Sequence, residues 1–147
     1  MSGRRSASLD WVSVQALQDR TKRLALRVIR MVDHLPRTDA ARTIGRQTLR
    51  SATAVAANYR AACRSRSKAE FSAKIGIVVE EADETVFWLE ILGESGIVET
   101  KRLGDLVREA GEIRSIMAAS HRTARAQAVT RRTHRSLNNS TNQQFNK

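Results

Sequence analysis

Apolar residues recur at alternating steps of three and four along most of this chain, which places them on one face of an α-helix. The first such segment ends before the only proline, Pro36. Proline disfavours the helical conformation at the residue that precedes it, so the first helix is predicted to stop there. The inward positions of this helix are Val14, Leu17, Thr21, Leu24, Val28, Met31 and Leu35.

A second helix is predicted to begin at Thr38 or Asp39, either of which can cap it, and to run to about Ala62. Most of its inward positions are small, so a neighbouring helix can approach closely. They are Ile44, Thr48, Ala52, Val55, Tyr59 and Ala62. Residues 64–66 then form a short connection.

The third helix is predicted to open with Ser67 and Glu70, which have the spacing of a capping box. Its inward positions form an uninterrupted apolar row: Phe71, Ile75, Val78, Ala82, Thr85, Leu89 and Leu92. Phe87, Trp88 and Ile91 extend the apolar surface around the helix, which is typical of a helix with more than one packing partner. Gly93 or Gly96 is predicted to end it.

A fourth helix is predicted to begin near residues 98–100. Its inward positions are Leu103, Leu106, Ala110, Ile113 and Met117. Short connections between long helices make sequential neighbours antiparallel. The sequence therefore predicts an all-α fold, an antiparallel up-down-up-down four-helix bundle over residues 12–122. A flexible N-terminus is expected at residues 1–11, and a disordered basic C-terminal tail at residues 123–147.

The net charge of +11 is unevenly distributed. All fifteen acidic residues lie between Asp10 and Glu112, whereas the two ends of the chain are basic. The basic residues of the ends are Arg4, Arg5, Arg122, Arg125, Arg131, Arg132, Arg135 and Lys147. A near-balanced body with basic ends is typical of proteins that bind nucleic acid or an acidic partner, although a basic tail can also serve only solubility.

Cysteine usage and hydropathy indicate the compartment. Cys63 is the only cysteine, which excludes an intramolecular disulfide and suits a reducing environment. The N-terminal residues lack the apolar core of a signal peptide, and no apolar run approaches the roughly 18 residues that a membrane span needs. We therefore predict a cytoplasmic protein that has no membrane partner.

Residues 47–92 carry three motifs in a fixed order. Residues 50–58 read RSATAVAAN, residues 67–71 read SKAEF, and the acidic run EEADE at 80–84 leads into WLEIL at 88–92. In order and spacing these motifs resemble the four-helix-bundle family of 23S rRNA intervening-sequence proteins, some of which are encoded within the 23S rRNA gene of bacteria. The chain departs from the family pattern at Ala52, Ala54 and Ala56, where glycine or serine is commoner.

The resemblance implies a four-helix bundle that assembles into a ring-like homopentamer. It also implies kinship with the accessory protein of diversity-generating retroelements, which binds nucleic acid and a reverse transcriptase. No catalytic activity is attached to the family. A protein-interaction scaffold, in which a ring docks a partner such as a reverse transcriptase, is the alternative to nucleic-acid binding.

Two sets of arginines are the candidate nucleic-acid-binding residues. The first set belongs to the second helix and its end: Arg42, Arg46, Arg50, Arg60, Arg64 and Arg66. The second set belongs to the tail: Arg122, Arg125, Arg131, Arg132 and Arg135. Because the third helix is acidic, the first set could instead pair with it, either within one subunit or between subunits. Contact with phosphate would be largely independent of sequence, and RNA is the more expected partner than DNA.

Five residues are candidates for an oligomer interface: Asn58, Tyr59, Phe87, Trp88 and Ile91. Asn58 could equally be a buried polar residue that fixes helix register. Tyr59 is most simply a core residue with its hydroxyl at the rim. Phe87 and Trp88 at this spacing are more typical of a core or a subunit interface than of a platform for stacked bases.

Catalysis, metal binding and cofactors are not expected. Glu80 and Glu84 share a helical face, but a di-iron site of the ferritin type also needs Glu-x-x-His pairs. None of the three histidines, His34, His121 and His134, has a glutamate three residues before it. No nucleophile elbow, P-loop or dinucleotide fingerprint is present. Cys63 lies among arginines that could lower the pKa of its thiol, but a structural role is the simpler interpretation.

Overall fold

The computed structural model describes the backbone of residues 4–144 and the side chains of residues 13–137. It consists of four helices, α1 (Arg4–Asp33), α2 (Asp39–Ala62), α3 (Lys68–Glu94) and α4 (Thr100–Gln144). Sequential helices pack against each other, and α1 closes the arrangement through a smaller contact with α4. The predicted all-α four-helix fold is confirmed.

The chemistry of the connections explains where the helices begin and end. Thr38 caps α2, since its hydroxyl oxygen accepts a hydrogen bond from the Ala41 amide at 3.2 Å. Ser67 caps α3 in the same way, accepting from the Glu70 amide at 3.1 Å. The Glu70 carboxylate reaches back to the Arg66 amide at 2.9 Å, so the α2–α3 turn is held from both sides.

Of the two glycines predicted to end α3, Gly96 is the one with a left-handed backbone, at φ 76°. An L-residue in this conformation places its Cβ too close to the following carbonyl oxygen. Gly96 therefore allows the chain to leave α3 and start α4 within a few residues.

The core follows the predicted apolar rows. Leu24, Val28, Val55, Ile75 and Leu89 are each at most 1% exposed. Two buried hydroxyls join α2 to α3 inside this core: Thr85 donates to the Ser51 hydroxyl oxygen at 3.0 Å. The small residues of α2 make this approach possible, because the two helices meet without bulky side chains between them.

The predicted boundaries at residues 11/12 and 122/123 do not coincide with helix ends. Helix α1 already begins at Arg4, so the N-terminus predicted to be flexible is helical from that residue, and residues 1–3 lie outside the described part. Helix α4 continues to Gln144, where a disordered tail was predicted. No glycine or proline follows Gly111, and alanine, arginine and glutamine are strong helix formers, so nothing in the sequence ends α4 at residue 122.

Packing continues past the predicted boundary as well. Ala124, on α4, is 5% exposed, and Lys68 donates to the Gln127 side-chain oxygen at 3.0 Å. Beyond this point the side chains of residues 129–137 are exposed. The bundle therefore includes α4 to about residue 128, and the rest of the described α4 carries the basic tail.

Candidate nucleic-acid interface

The structure divides the arginines of α2 into three groups. Arg50 lies mid-helix and is engaged with α3, because its guanidinium contacts the carboxylates of Glu81, at 3.1 Å, and of Glu84. The hydrogen bonds from Arg50 and from the Trp88 indole lower the pKa of the Glu84 carboxyl. Arg50 therefore links α2 to α3 through ion pairs within one subunit. This is one of the two kinds of pairing that the sequence predicted for these helices.

Arg42 and Arg46 lie near the start of α2, next to the turn from α1. They line a small groove that Pro36 and Arg37 also border. Arg42 forms an ion pair with Asp39 of its own helix. About 33 Å of helix separates Arg42 from Arg64, so these two arginines belong to opposite ends of the bundle.

Arg60 and Arg64 lie at the other end of α2, on its contact with α1. With Lys22 they line a groove of about 610 Å³ whose floor is formed by Ala25, Ala56 and Ala57. Neither Arg60 nor Arg64 forms an ion pair with another described residue, and both are exposed. The alanines of α2 thus leave an open channel with basic residues along one end.

Arg66 lies in the turn between α2 and α3 and shares a cavity with a residue far along the chain. This cavity of about 500 Å³ is also lined by Lys68, from the first turn of α3, and by Arg131, from the exposed part of α4. The Lys68–Gln127 hydrogen bond fixes α4 beside the turn. The two predicted sets of arginines therefore meet at this end of the molecule. We call Arg60, Arg64, Arg66, Lys68 and Arg131 together the basic end.

The other tail arginines lie on the same stretch of α4. Arg122 and Arg125 precede Gln127, whereas Arg132 and Arg135 follow Arg131. All four are exposed and form no ion pair with another described residue. Helix α4 thus carries four further exposed cations, two before and two after Arg131 in sequence.

Sequence analysis missed the two lysines. Lys22 borders the groove of Arg60, and Lys68 borders the cavity of Arg66. Lys68 could have been found from the sequence, because only the N-cap Ser67 separates it from Arg66. Lys22 is distant in sequence from the other cations, and only the packing of α1 on α2 brings it to them.

The candidate interface residues fall into two places. Tyr59 is 5% exposed and is packed in the core, where burial and the neighbouring Cys63 thiol raise the pKa of its phenol. Phe87 is 49% exposed and contacts the Trp88 ring edge-on, with 4.9 Å between ring centroids. Ile91 and Asn58 are half-buried. The outer face of α3 therefore holds three of the five candidates, Phe87, Trp88 and Ile91. Tyr59 is a core residue, as the alternative interpretation predicted.

Helix α1 is tied to α4 by an ion pair that sequence analysis did not predict. Arg20 contacts the Glu109 carboxylate at 2.6 Å and also contacts Glu112. The hydrogen bond from Arg20 lowers the pKa of the Glu109 carboxyl, and the nearby charges of Arg27 and Arg23 act in the same direction. Arg20 thus links α1 to α4, where packing is less extensive.

The described residues offer neither a metal-binding cluster nor a membrane-spanning helix. No group of three or more His, Cys, Asp or Glu side chains there is placed to hold a metal ion. None of the helices, in the part of the chain that was described, is long and apolar enough to cross a membrane.

The chain is similar to proteins of one family. Residues 15–119 match the family described as 23S rRNA-intervening sequence protein. The crystal structure of a protein of unknown function from the S23 ribosomal protein family of Bacteroides thetaiotaomicron superposes with a TM-score of 0.69. The two sequences are 26% identical, and the match covers 74% of this chain and 97% of the other. No curated protein sequence matches the chain.

Proposed function

We propose that this chain, which belongs to the 23S rRNA-intervening sequence protein family, is a non-enzymatic protein that binds RNA through its basic end. Binding would be electrostatic and largely independent of sequence, because exposed guanidinium and ammonium groups contact phosphates that every nucleotide carries. Arginine suits this role, since its planar guanidinium can hold a phosphate through two hydrogen bonds.

The observation that carries the proposal is the distribution of unpaired cations. Arg20, Arg50 and Arg114 are each satisfied by a carboxylate of a neighbouring helix. The arginines of the basic end have no such partner among the described residues, although Arg60 and Arg64 line one groove and Arg66 and Arg131 line one cavity. Clustered like charges repel, so this arrangement is stabilised when a polyanion covers it.

Self-association is the second part of the proposal. Ile77 and Phe87 are 47% and 49% exposed on the outer face of α3, and Ile91 lies on the same face. Apolar residues in one exposed row are typical of a contact with another protein surface. We propose a second copy of this chain as the occupant, in keeping with the homopentamer that the family resemblance implies. An oligomer would place several basic ends on one RNA and so multiply weak contacts.

Titration of the protein with single-stranded RNA across a salt series tests the RNA-binding proposal. Each phosphate contact on a single strand contributes a slope of about −0.7 in a plot of log K against log salt. Contacts by the five cations of the basic end would give a slope of about −3.5 per subunit engaged. Absence of binding at low salt would refute the proposal.

The alternative function, a scaffold that docks a protein partner, is favoured by the same exposed face of α3. This face carries Glu80, Glu90 and Glu94 beside its apolar residues, and all three are exposed. A scaffold would assemble without RNA, and its partner binding would be lost on substitution of Phe87 but not of Arg66. RNA binding that depends on Arg66 distinguishes the two functions.

A further inference from the structure

The cavity at the α2–α3 turn combines an apolar wall with a basic rim. Val14, Phe71 and the edge of Tyr59 contribute the apolar wall, whereas Arg66, Lys68 and Arg131 contribute the cations. Its volume of about 500 Å³ lies within the range of about 300–1,000 Å³ that is typical of small-molecule sites. The cavity therefore offers both kinds of contact that an aromatic, phosphate-bearing group requires.

Charge distinguishes this cavity from the other grooves of the described residues. Among the side chains that the structure describes, its lining contains no carboxylate. The groove between α1 and α4 includes Glu99, that between α1 and α2 includes Asp19, and that at the start of α2 includes Asp33. The closest acid of the turn, Glu70, is already engaged by Lys74 and by the Arg66 amide. An anion entering the cavity would therefore meet Arg66, Lys68 and Arg131 as the charged groups among the described side chains of its lining.

A buried polar atom belongs to one residue of the cavity wall. The Ser65 side chain lines the cavity, and its Oγ is buried without a hydrogen-bond partner among the described residues. A buried hydroxyl that lacks a partner is costly, and such groups in folded proteins are generally satisfied. The first turn of α3 adds the positive end of a helix dipole beside the same cavity.

We infer that this cavity, which we call the turn cavity, holds one unpaired nucleotide of a bound RNA strand. The base would stack on Phe71 and pack against Val14, and the phosphate would contact Arg66 and Arg131. A change of the Ser65 side-chain rotamer would turn its hydroxyl from the buried position to a polar atom of the nucleotide. This inference rests on the proposed RNA binding. It follows from the position of the cavity, whose cations belong to the basic end, so a strand held there passes over its opening.

The only cysteine of the chain provides a direct test. Cys63 lines the turn cavity and is half-buried, so the rate at which iodoacetamide alkylates the full-length protein reports on this cavity alone. Adenosine 5′-monophosphate at about ten times its Kd is expected to slow alkylation about tenfold. Inorganic phosphate at the same concentration is expected to slow it less. A single-stranded oligoadenylate is expected to protect as well.

A matched variant tests the contact with Ser65. Ser65→Ala removes the unpartnered hydroxyl without adding bulk, so the protein is expected to fold. Loss of one hydrogen bond to the nucleotide should weaken protection by adenosine 5′-monophosphate about three- to tenfold. Binding of the oligoadenylate should change less, because the cations of the basic end remain. Equilibrium dialysis with labelled adenosine 5′-monophosphate gives the same comparison if the thiol reacts too slowly.

Three results would overturn the inference, and they differ in what else they overturn. The oligoadenylate could bind with a steep salt dependence while neither it nor the mononucleotide protects Cys63, and while Ser65→Ala leaves retention of the mononucleotide in dialysis unchanged. In that case the assignment of a nucleotide to the turn cavity is wrong and RNA binding stands. If inorganic phosphate protects as well as the mononucleotide, the cavity is an anion site without a base pocket. If no RNA binds at low salt, the inference and the proposed function both fail.

Discussion

Arg66 and Arg131 line one cavity, although one belongs to the α2–α3 turn and the other to the exposed part of α4. The contact between Lys68 and Gln127 holds these two segments together. The consequence is that Arg66 and Arg131, which are far apart in sequence, lie on one surface. This surface is the basis of the proposed RNA binding.

Arg50 and Arg64 should respond differently to the same substitution. Arg50→Gln removes the contacts with Glu81 and Glu84 and should lower the free energy of unfolding by about 0–1 kcal/mol, because the pairs are partly exposed. It should leave RNA affinity almost unchanged. Arg64→Gln should leave stability unchanged and reduce the salt slope for single-stranded RNA by about 0.7. Urea unfolding and RNA titration of both variants would check this, and equal losses of RNA affinity would contradict it.

Acid should weaken the contact between α1 and α4. The pKa of the Glu109 carboxyl is below its usual value of 4.5 in the folded protein, mainly because Arg20 donates to it. A carboxyl whose folded pKa is depressed contributes its stabilisation above the unfolded pKa and loses it as the pH falls through the folded pKa. The free energy of unfolding should therefore decline below about pH 4.5.

Glu109→Gln isolates this effect. The variant should lose about 1 kcal/mol of stability near neutral pH and show a shallower decline in acid than the parent protein. Glu90→Gln is the matched control, since Glu90 is exposed and forms no ion pair with another described residue. Urea denaturation at several pH values gives the free energy of unfolding of both variants. If stability falls in acid as steeply in Glu109→Gln as in the parent protein, the acid decline does not come from Glu109.

Two glycines of α4 should tolerate alanine. A Cβ at Gly104 or at Gly111 would meet no atom within 4 Å. Because glycine in a helix interior is about 0.5–1 kcal/mol less favourable than alanine, each substitution should raise the free energy of unfolding by about that amount. At Gly45 the added Cβ would lie 2.7 Å from Leu35 Cδ1, so its gain should be smaller or reversed. Thermal unfolding of the three alanine variants ranks their stabilities. A larger gain at Gly45 than at Gly104 and Gly111 would contradict the close contact between Gly45 and Leu35.

Phe87→Glu should dissociate the proposed oligomer without unfolding its subunits. The Phe87 side chain is 49% exposed, so a charged replacement costs little in a single subunit but would be buried at a subunit contact. Leu26→Glu is the matched control, because Leu26 is 40% exposed on α1, away from the outer face of α3. Light scattering on the two purified variants measures their mass. A protein that is monomeric before substitution, or that dissociates only with Leu26→Glu, would contradict the assignment of this face.

The helical bundle could be predicted from sequence because apolar periodicity and capping residues act locally. Val55 and Ile75 were assigned to the core from their spacing, and Ser67 was assigned to the cap of α3. The end of α4 could not be predicted in this way. After Met117 the apolar row is lost, which predicts the end of the bundle, but strong helix formers continue, which predicts more helix. Ala124 still packs on the bundle, so neither signal alone locates its end.

The candidate site could be predicted only as a list of arginines. The sequence shows which residues are cationic. Whether an arginine forms an ion pair depends on which helices face each other, and this is decided by tertiary packing. Arg50 and Arg64 are each followed by a serine, yet only Arg50 forms ion pairs with carboxylates of α3 among the described residues. Lys22 borders the groove of Arg60 and Arg64 only because α1 packs on α2.

The most direct measurement compares two charge-matched variants in RNA binding across a salt series. One is the triple variant Arg64→Gln, Arg66→Gln, Arg131→Gln at the basic end. The other is Arg37→Gln, Arg42→Gln, Arg46→Gln at the opposite end of α2, with the same loss of net charge. We expect the basic-end variant to lose about 2 from the magnitude of the salt slope on single-stranded RNA, and the other variant to lose little. Equal losses would show that RNA responds only to net charge and would contradict a localised interface.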